Sequence, residues 1–168
     1  MSEEVKKQTL VFPIEEAGSN TMVLLGEKVA SGKLGYGLIH GFGGDLEEGE
    51  SPREAAIREL EQESRLRALS EDLEYCGKLS VYEGSKLVRI AYCYRLYKWQ
   101  GNPERTDEMA PLWVHRSKLP FENMFEDTKL WLPEILQGGP VSLRLWYSTE
   151  MKKLQNSSTL PFNPNETD

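Results

Sequence analysis

The segment Gly43–Leu66, GGDLEEGESPREAAIRELEQESRL, is the part of this chain with the most specific pattern. It opens with a glycine-rich loop and carries seven glutamates and one aspartate within 24 residues. Ser51 can cap the N-terminus of a helix, Pro52 suits the first turn, and Glu54 completes a capping box. The segment therefore predicts a loop followed by a helix that runs to about Leu66.

The acidic residues of this helix are not spread evenly around it. At 100° per residue, Glu59 and Glu63 share one stripe at the edge of the predicted core face, which is formed by Ala56, Ile57 and Leu60. Two like charges at this spacing destabilise a helix, so something must offset them. Arg58 and solvent could do so, as on most glutamate-rich faces, or a hard divalent cation could bind both carboxylates together with substrate phosphates.

The spacing of the segment resembles the Nudix box. In that motif a glycine is followed after five residues by glutamate, after seven more by Arg-Glu-aliphatic, and then by paired glutamates, glycine and an aliphatic residue. Seven positions match: Gly44, Glu50, Arg58, Glu59, Leu60, Glu63 and Leu66. Two positions depart, because Gln62 replaces the first paired glutamate and Arg65 replaces the glycine.

Further segments resemble the MutT-type branch of the Nudix family, whose animal members hydrolyse oxidised purine nucleoside triphosphates. They are HGFGGDLEEGES, RTDEMAPLWV, LPFENMFED and LWLPEILQ, and the similarity covers about residues 8–147. The resemblance implies an α+β Nudix fold, in which a mixed sheet lies between helices in an α/β/α sandwich. It also implies hydrolysis of a nucleoside triphosphate to the monophosphate and pyrophosphate.

The resemblance implies that Mg²⁺, or alternatively Mn²⁺, is bound by the backbone carbonyl of Gly43 and by the side chains of Glu59, Gln62, Glu63 and Glu108. Glu59, Glu63 and Glu108 are the candidate catalytic residues, and Glu108 is the candidate base. Gln62 offers a carbonyl oxygen but no charge. We therefore expect weaker metal binding, or one ion fewer, than in relatives with glutamate there.

Three residues of the box are expected to be structural. Glu50 and Arg58 resemble the ion pair that ties the loop to the helix in this family. Gly44 belongs to the loop itself.

The same resemblance assigns Lys28, His40, Phe125 and Asp127 to the substrate site. Phe125 matches an aromatic residue that stacks on the purine, and Asp127 is expected to direct its carboxyl group at the purine edge. His40 departs from the family, which has asparagine there. A second specificity aspartate is replaced by Thr128.

Outside the box, runs rich in β-branched and aromatic residues predict strands. The expected strands are residues 8–14, 21–28, 74–83, 86–99, 110–116 and 141–148, and a second helix is expected at 125–136. Residues 1–153 are expected to form one domain. Residues 154–168, which are polar and rich in proline and asparagine, are expected to form a flexible tail.

The composition argues against several classes of protein, namely DNA-binding, membrane-spanning and secreted proteins. A net charge of −7 argues against binding of DNA duplexes. No apolar run is long enough for a membrane span, and the N-terminus does not resemble a signal peptide. Two cysteines without metal-ligand spacing favour a reducing compartment. We expect a cytoplasmic or nuclear monomer that acts on a nucleotide.

Two alternatives remain open at this stage. The substrate could be another compound with a linked nucleoside diphosphate, namely a nucleotide sugar, a dinucleoside polyphosphate or an RNA 5′ end. The departures at Gln62 and Arg65 also leave room for a nucleotide-binding module with weak catalysis or none.

Overall fold

The computed structural model describes residues 3–167. Its elements in chain order are β1 (Lys6–Ala17), β2 (Asn20–Lys28), β3 (Ile39–His40), α1 (Pro52–Ser64), β4 (Leu73–Glu83), β5 (Lys86–Leu96), β6 (Met109–His115), α2 (Thr128–Leu136), β7 (Val141–Tyr147) and β8 (Leu154–Thr159). The predicted strands and helices are all present, with bounds that differ by a few residues.

The strands form one mixed sheet in the order β3-β2-β1-β5-β4-β7-β8, with β6 paired to β2. β1 is parallel to β5, and β4 is parallel to β7. The other pairs are antiparallel. β1 changes partner along its length, since residues 6–13 pair with β5 and residues 14–17 pair with β2. The central strands are thereby held on both sides, and the predicted mixed sheet is confirmed.

Each face of the sheet is covered by one helix. Ala56 and Leu60 of α1 belong to the buried cluster on one face, which includes the aromatic side chains of β4 and β5. Trp131, Leu132 and Ile135 of α2 belong to the cluster on the other face. Side chains that alternate along β5 supply both clusters, as the two-residue period of a strand requires. The result is the predicted α/β/α sandwich.

Local sequence signals determine where α1 begins and ends. The Ser51 hydroxyl accepts a hydrogen bond from the Glu54 amide, and the Glu54 side chain accepts one from the Ser51 amide, so the predicted capping box is present. The helix stops at Ser64, two residues before the predicted end, because Arg65 adopts a left-handed conformation with φ 67°.

The C-terminus differs from the expected flexible tail. β8 pairs with β7 in antiparallel register. Beyond it, the Phe162 ring lies 5.0 Å from the Tyr75 ring. Glu166 forms an ion pair with Lys78. Residues 154–167, which were expected to form a flexible tail, thus include an edge strand, and Phe162 and Glu166 beyond it contact β4.

The cysteines and the helices bear on two earlier expectations, a reducing compartment and the lack of a membrane span. Cys76 and Cys93 are free and buried, as expected for thiols that serve as small core residues. Neither helix in the described part of the chain is long and apolar enough to cross a membrane.

Candidate active site

The loop before α1 brings the two glutamates of the predicted stripe together. Glu63 is only 2% exposed, and one of its carboxylate oxygens accepts a hydrogen bond of 2.7 Å from the Gly43 amide. The carboxyl group of Glu59 lies beside the next residue, Gly44. The two side chains of the stripe are therefore directed at adjacent residues of the loop, Glu63 at Gly43 and Glu59 at Gly44.

The close approach explains why the loop has glycines here. A Cβ atom on Gly43 would lie 1.7 Å from the carbonyl oxygen of Thr9 in β1. A Cβ atom on Gly44 would lie 2.7 Å from the Glu59 carboxyl carbon. The first contact is with backbone, so Gly43 requires glycine, whereas a side chain at Gly44 would displace the Glu59 carboxyl group from its position.

Arg58 links this loop to the helix. Its Nε and Nη2 donate to the two oxygens of Glu50 at 2.7 and 2.9 Å, and its Nη1 donates to Glu59 at 2.6 Å. The predicted ion pair between Glu50 and Arg58 is therefore present, in the bidentate geometry that carboxylate and guanidinium groups favour. Arg58 also donates to the Asp45 carbonyl at 3.0 Å. These bonds hold Glu59 in place.

We expect Glu50→Gln to lower the free energy of unfolding by about 1–2 kcal/mol at pH 7, because it weakens a charge-assisted pair that is largely shielded from solvent. Hydrogen bonding to Arg58 lowers the pKa of Glu50 in the folded protein. The contribution should thus be complete above the unfolded pKa of about 4.3 and should disappear as pH falls through the folded pKa. Urea unfolding from pH 7 to pH 3 measures this difference.

Glu48→Gln is the control, since Glu48 is an exposed glutamate of the same loop. An equal loss in both variants, or a loss that does not change with pH, would contradict a specific role for the Glu50 carboxylate.

The electrostatics of Glu63 are unfavourable in the protein alone. Burial raises the pKa of Glu63 to about 8, and the charges of Glu59 and Glu108 act in the same direction. The Gly43 amide and the Lys28 ammonium oppose this rise in pKa only in part. A buried carboxylate near two others is the kind of group that a divalent cation stabilises. The donor set therefore fits Mg²⁺ or a similar hard ion.

Glu108 is positioned from another part of the chain. Thr106 donates its hydroxyl to the Glu63 carbonyl at 3.2 Å and accepts the Glu108 amide at 3.3 Å, which ties this turn to the end of α1. The Glu108 side chain is 43% exposed and lies 3.9 Å from the Lys33 ammonium. Across residues 3–167, no three acidic, histidine or cysteine side chains form a preassembled metal cluster. Instead, Glu59 bonds Arg58, and Glu63 bonds the Gly43 amide. Glu108 lies near Lys33.

A cavity of about 370 Å³ begins at the same loop. Gly43 and Gly44 belong to its wall, and Leu79 and Ala91 line it from the sheet. Lys28, His40, Phe125 and Asp127, the four residues predicted for the substrate site, all line it as well. The structure thus brings together residues from β2, β3 and the segment just before α2, which are far apart in sequence.

His40 presents an acceptor in this cavity. Its Nδ1 lies 2.8 Å from the Gly41 carbonyl oxygen, which can only accept, so Nδ1 carries the proton. Burial lowers the pKa of His40, and the ring is neutral at pH 7. Nε2 is then the free acceptor. A Cβ atom on Gly35 would lie 3.6 Å from both this Nε2 and the Phe125 ring.

Asp127 is more constrained than the sequence indicates. It is buried, and its two oxygens accept hydrogen bonds from the Trp131 indole at 2.7 Å and from the Tyr147 hydroxyl. The Asp127 carboxyl group therefore lines the cavity as an oriented acceptor rather than as an unattached group. The sequence did not indicate Trp131 and Tyr147 as partners of Asp127, because these contacts depend on how α2 packs over β7.

Sequence reasoning also missed Arg89, which lines the cavity from β5. A signal was present, since Arg89 shares one row of β5 with Ala91 and Cys93, which are buried in one cluster, whereas Tyr92 and Tyr94 are buried in the other. An arginine in a row of buried apolar side chains indicates that this position contacts a polar group.

Comparisons with known proteins agree with this geometry. The family model described as NUDIX domain matches residues 6–135. The chain is 36% identical over 133 residues to a Danio rerio protein named oxidized purine nucleoside triphosphate hydrolase, covering 79% of this chain and 80% of that protein. A Mus musculus protein of the same name is 34% identical over 116 residues, covering 68% and 72%.

Among solved structures, a MutT protein from Bacillus halodurans superposes with a TM-score of 0.74. That alignment covers 92% of this chain and 97% of the other, at 18% identity. A MutT Nudix hydrolase from Burkholderia pseudomallei gives a TM-score of 0.63 at 17% identity, covering 76% and 95%. At these identities the structural likeness establishes the fold.

Proposed function

This chain belongs to the NUDIX domain family of hydrolases, and we propose that it is a Mg²⁺-dependent pyrophosphohydrolase of oxidised purine nucleoside triphosphates. One observation carries the proposal. The glycines that contact Glu63 and Glu59 also form the wall of the cavity that holds Phe125 and Asp127. A nucleotide whose base fills the cavity would thereby extend its phosphates towards the acidic residues.

We propose that the Glu59, Gln62, Glu63 and Glu108 side chains and the Gly43 carbonyl hold the metal. A bound Mg²⁺ would neutralise the phosphates and lower the pKa of a water molecule. Gln62 is neutral, and its side-chain oxygen lies 3.4 Å from Arg58 Nη1, so it contributes less to this set than a glutamate would.

The residues of the chain then have distinct roles in hydrolysis. Arg58 fixes Glu59 through the 2.6 Å hydrogen bond. Lys28 lies near enough to Glu63 to act on its charge, so it supplies positive charge where the phosphates leave the cavity. Glu108 accepts the proton of the attacking water. The water oxygen bonds to phosphorus as the bond between the α and β phosphates breaks, and pyrophosphate leaves.

The side chains that line the cavity suit a purine base that carries additional hydrogen-bond donors. Phe125 offers a ring for stacking, and Asp127 and His40 Nε2 offer acceptors. Oxidation at C8 converts N7 of guanine from an acceptor into a donor, which increases the number of donors that such acceptors can bind. Thr128, buried at 5% exposure, provides only a hydroxyl where the resemblance expects a second carboxylate. We therefore propose weaker discrimination of oxidised from normal purines than in relatives with two aspartates.

We further propose that the protein acts as a cytoplasmic monomer that does not bind duplex DNA. Its two free, buried thiols suit a reducing compartment, and its net charge of −7 repels nucleic acid.

The direct test is turnover of a panel of compounds in Mg²⁺, with products identified by mass. The panel contains 8-oxo-dGTP, dGTP, dCTP, ADP-ribose, a dinucleoside tetraphosphate and a triphosphorylated RNA. We expect 8-oxo-dGTP to give its monophosphate and pyrophosphate, and excess chelator to abolish the reaction. Preferred cleavage of a diphosphate-linked compound would assign another Nudix substrate. No turnover of any compound would favour a binding module.

A further inference from the structure

Arg89 occupies an unusual place in the sheet. It lies in β5 next to Lys6 of β1 and opposite Val81 of β4. Its side chain lines the cavity together with the apolar side chains of Leu79 and Ala91. A cation on the apolar floor of a ligand cavity loses hydration, so its presence there requires an explanation.

The guanidinium has unused hydrogen-bonding capacity. Its Nε is buried and has no hydrogen-bond partner within residues 3–167. Asp45 and Glu83 are close enough to act on it electrostatically, but one Asp45 oxygen already accepts from the Gln8 amide at 2.6 Å. A buried donor without an acceptor is costly unless a ligand supplies the acceptor.

Building on the proposed function, we propose that Arg89 recognises the carbonyl oxygen at C6 of a purine, so that the cavity selects 6-oxopurine nucleotides. The proposed function directs the phosphates towards Glu59 and Glu63, so the part of the ligand that enters the cavity beside Leu79, Ala91 and Arg89 is the base. An acceptor on that part is a carbonyl oxygen or ring nitrogen rather than a phosphate oxygen.

The other polar groups of the cavity complement this assignment. Asp127 and the neutral His40 present acceptors, whereas Arg89 can only donate. Guanine offers two donors, the N1 hydrogen and the 2-amino group, beside the acceptor O6. Adenine has an amino group at C6, which would place a donor against the guanidinium. The three side chains thus match 6-oxopurines and oppose adenine, including when C8 is oxidised.

Binding of GMP, IMP and AMP to the wild type and to Arg89→Met, measured by calorimetry, tests the inference. GMP and IMP share O6, and AMP lacks it. We expect the wild type to bind GMP and IMP more tightly than AMP. Arg89→Met should weaken GMP and IMP binding by about 10- to 100-fold, the usual discrimination of an arginine–carbonyl contact, and AMP binding by less than about threefold. Arg89→Lys should give an intermediate loss.

Arg144→Met is the matched control. The Nε of Arg144 is also buried without a partner in the described chain, but Arg144 does not line the cavity. It should leave all three affinities unchanged. Equal loss for the three nucleotides in Arg89→Met would identify a phosphate contact and overturn the proposal, as would unchanged affinities or a wild type without preference for GMP and IMP.

Binding of monophosphates needs no turnover, so this result is independent of the hydrolysis panel. A 6-oxopurine preference without hydrolysis would contradict the proposed function alone. Hydrolysis without an Arg89-dependent preference would contradict this inference alone. If Arg89→Met does not fold, Arg89→Lys and Arg89→Gln, which keep a polar side chain, give the same comparison between bases.

Discussion

Glu63→Gln should lower the rate of triphosphate hydrolysis at least about 100-fold while leaving the protein folded. The substitution keeps the size of the side chain, and an amide oxygen can still accept from the Gly43 amide, which now bonds Glu63 at 2.7 Å. It removes the charge that would bind the metal. It also removes a buried carboxyl group whose pKa is raised to about 8 by burial and by the charges of Glu59 and Glu108, so the melting temperature at pH 7 should be unchanged or higher.

The matched control is Glu61→Gln, since Glu61 lies on the same helix but is exposed. Initial rates for the best substrate of the panel should be measured over a range of Mg²⁺ concentrations, together with thermal melts. Glu61→Gln should retain the wild-type rate. A Glu63→Gln protein with full activity would remove Glu63 from the metal site, and a large fall in its melting temperature would indicate a structural role instead.

The helix and its acidic stripe could be predicted because their signals are local. The capping box involves residues three apart, and the spacing of Glu59 and Glu63 follows from the helical period. The ion pair between Glu50 and Arg58 spans eight residues and is encoded in the same motif. These features depend on short segments, so no knowledge of the sheet was needed.

The cavity depends on contacts between distant segments, which one sequence does not reveal. Asp127 meets Tyr147 because β7 lies parallel to β4 beneath α2. Arg89 reaches the cavity because β5 pairs with β1 and β4. Strand order and register decide which side chains share a face, and both were unknown from the sequence. The sequence therefore named residues of the site but not their partners.

Arg65 shows how structure can explain a departure from a motif. The residue that replaces the usual glycine has φ 67°, a conformation that glycine adopts without steric cost and other residues adopt at about 1–2 kcal/mol. The Arg65 amide still donates to the Glu61 carbonyl at 2.9 Å and ends the helix. The substitution thus preserves the geometry of the box and gives no support to a loss of function.

Removal of residues 154–168 should lower the melting temperature by roughly 10 °C, a large effect for a segment whose composition predicts disorder. The deletion removes β8 from the edge of the sheet, the Phe162 ring packed 5.0 Å from Tyr75, and the Glu166 partner of Lys78. Loss of one packed aromatic side chain and an edge strand costs about 3–5 kcal/mol. Each kcal/mol lowers the melting temperature of a domain of this size by about 2–4 °C.

Single substitutions separate the contributions. Phe162→Ala should produce a substantial part of the loss, and Gln155→Ala, an exposed position of β8, should produce almost none. The cavity residues identified in the described chain all lie at or before Met151, so kcat/KM well below the melting temperature should stay within about threefold of wild type. A truncated protein that melts at the wild-type temperature would show that β8 and Phe162 contribute nothing. Because the segment acts only on stability, its loss should reduce activity at high temperature and leave substrate choice unchanged.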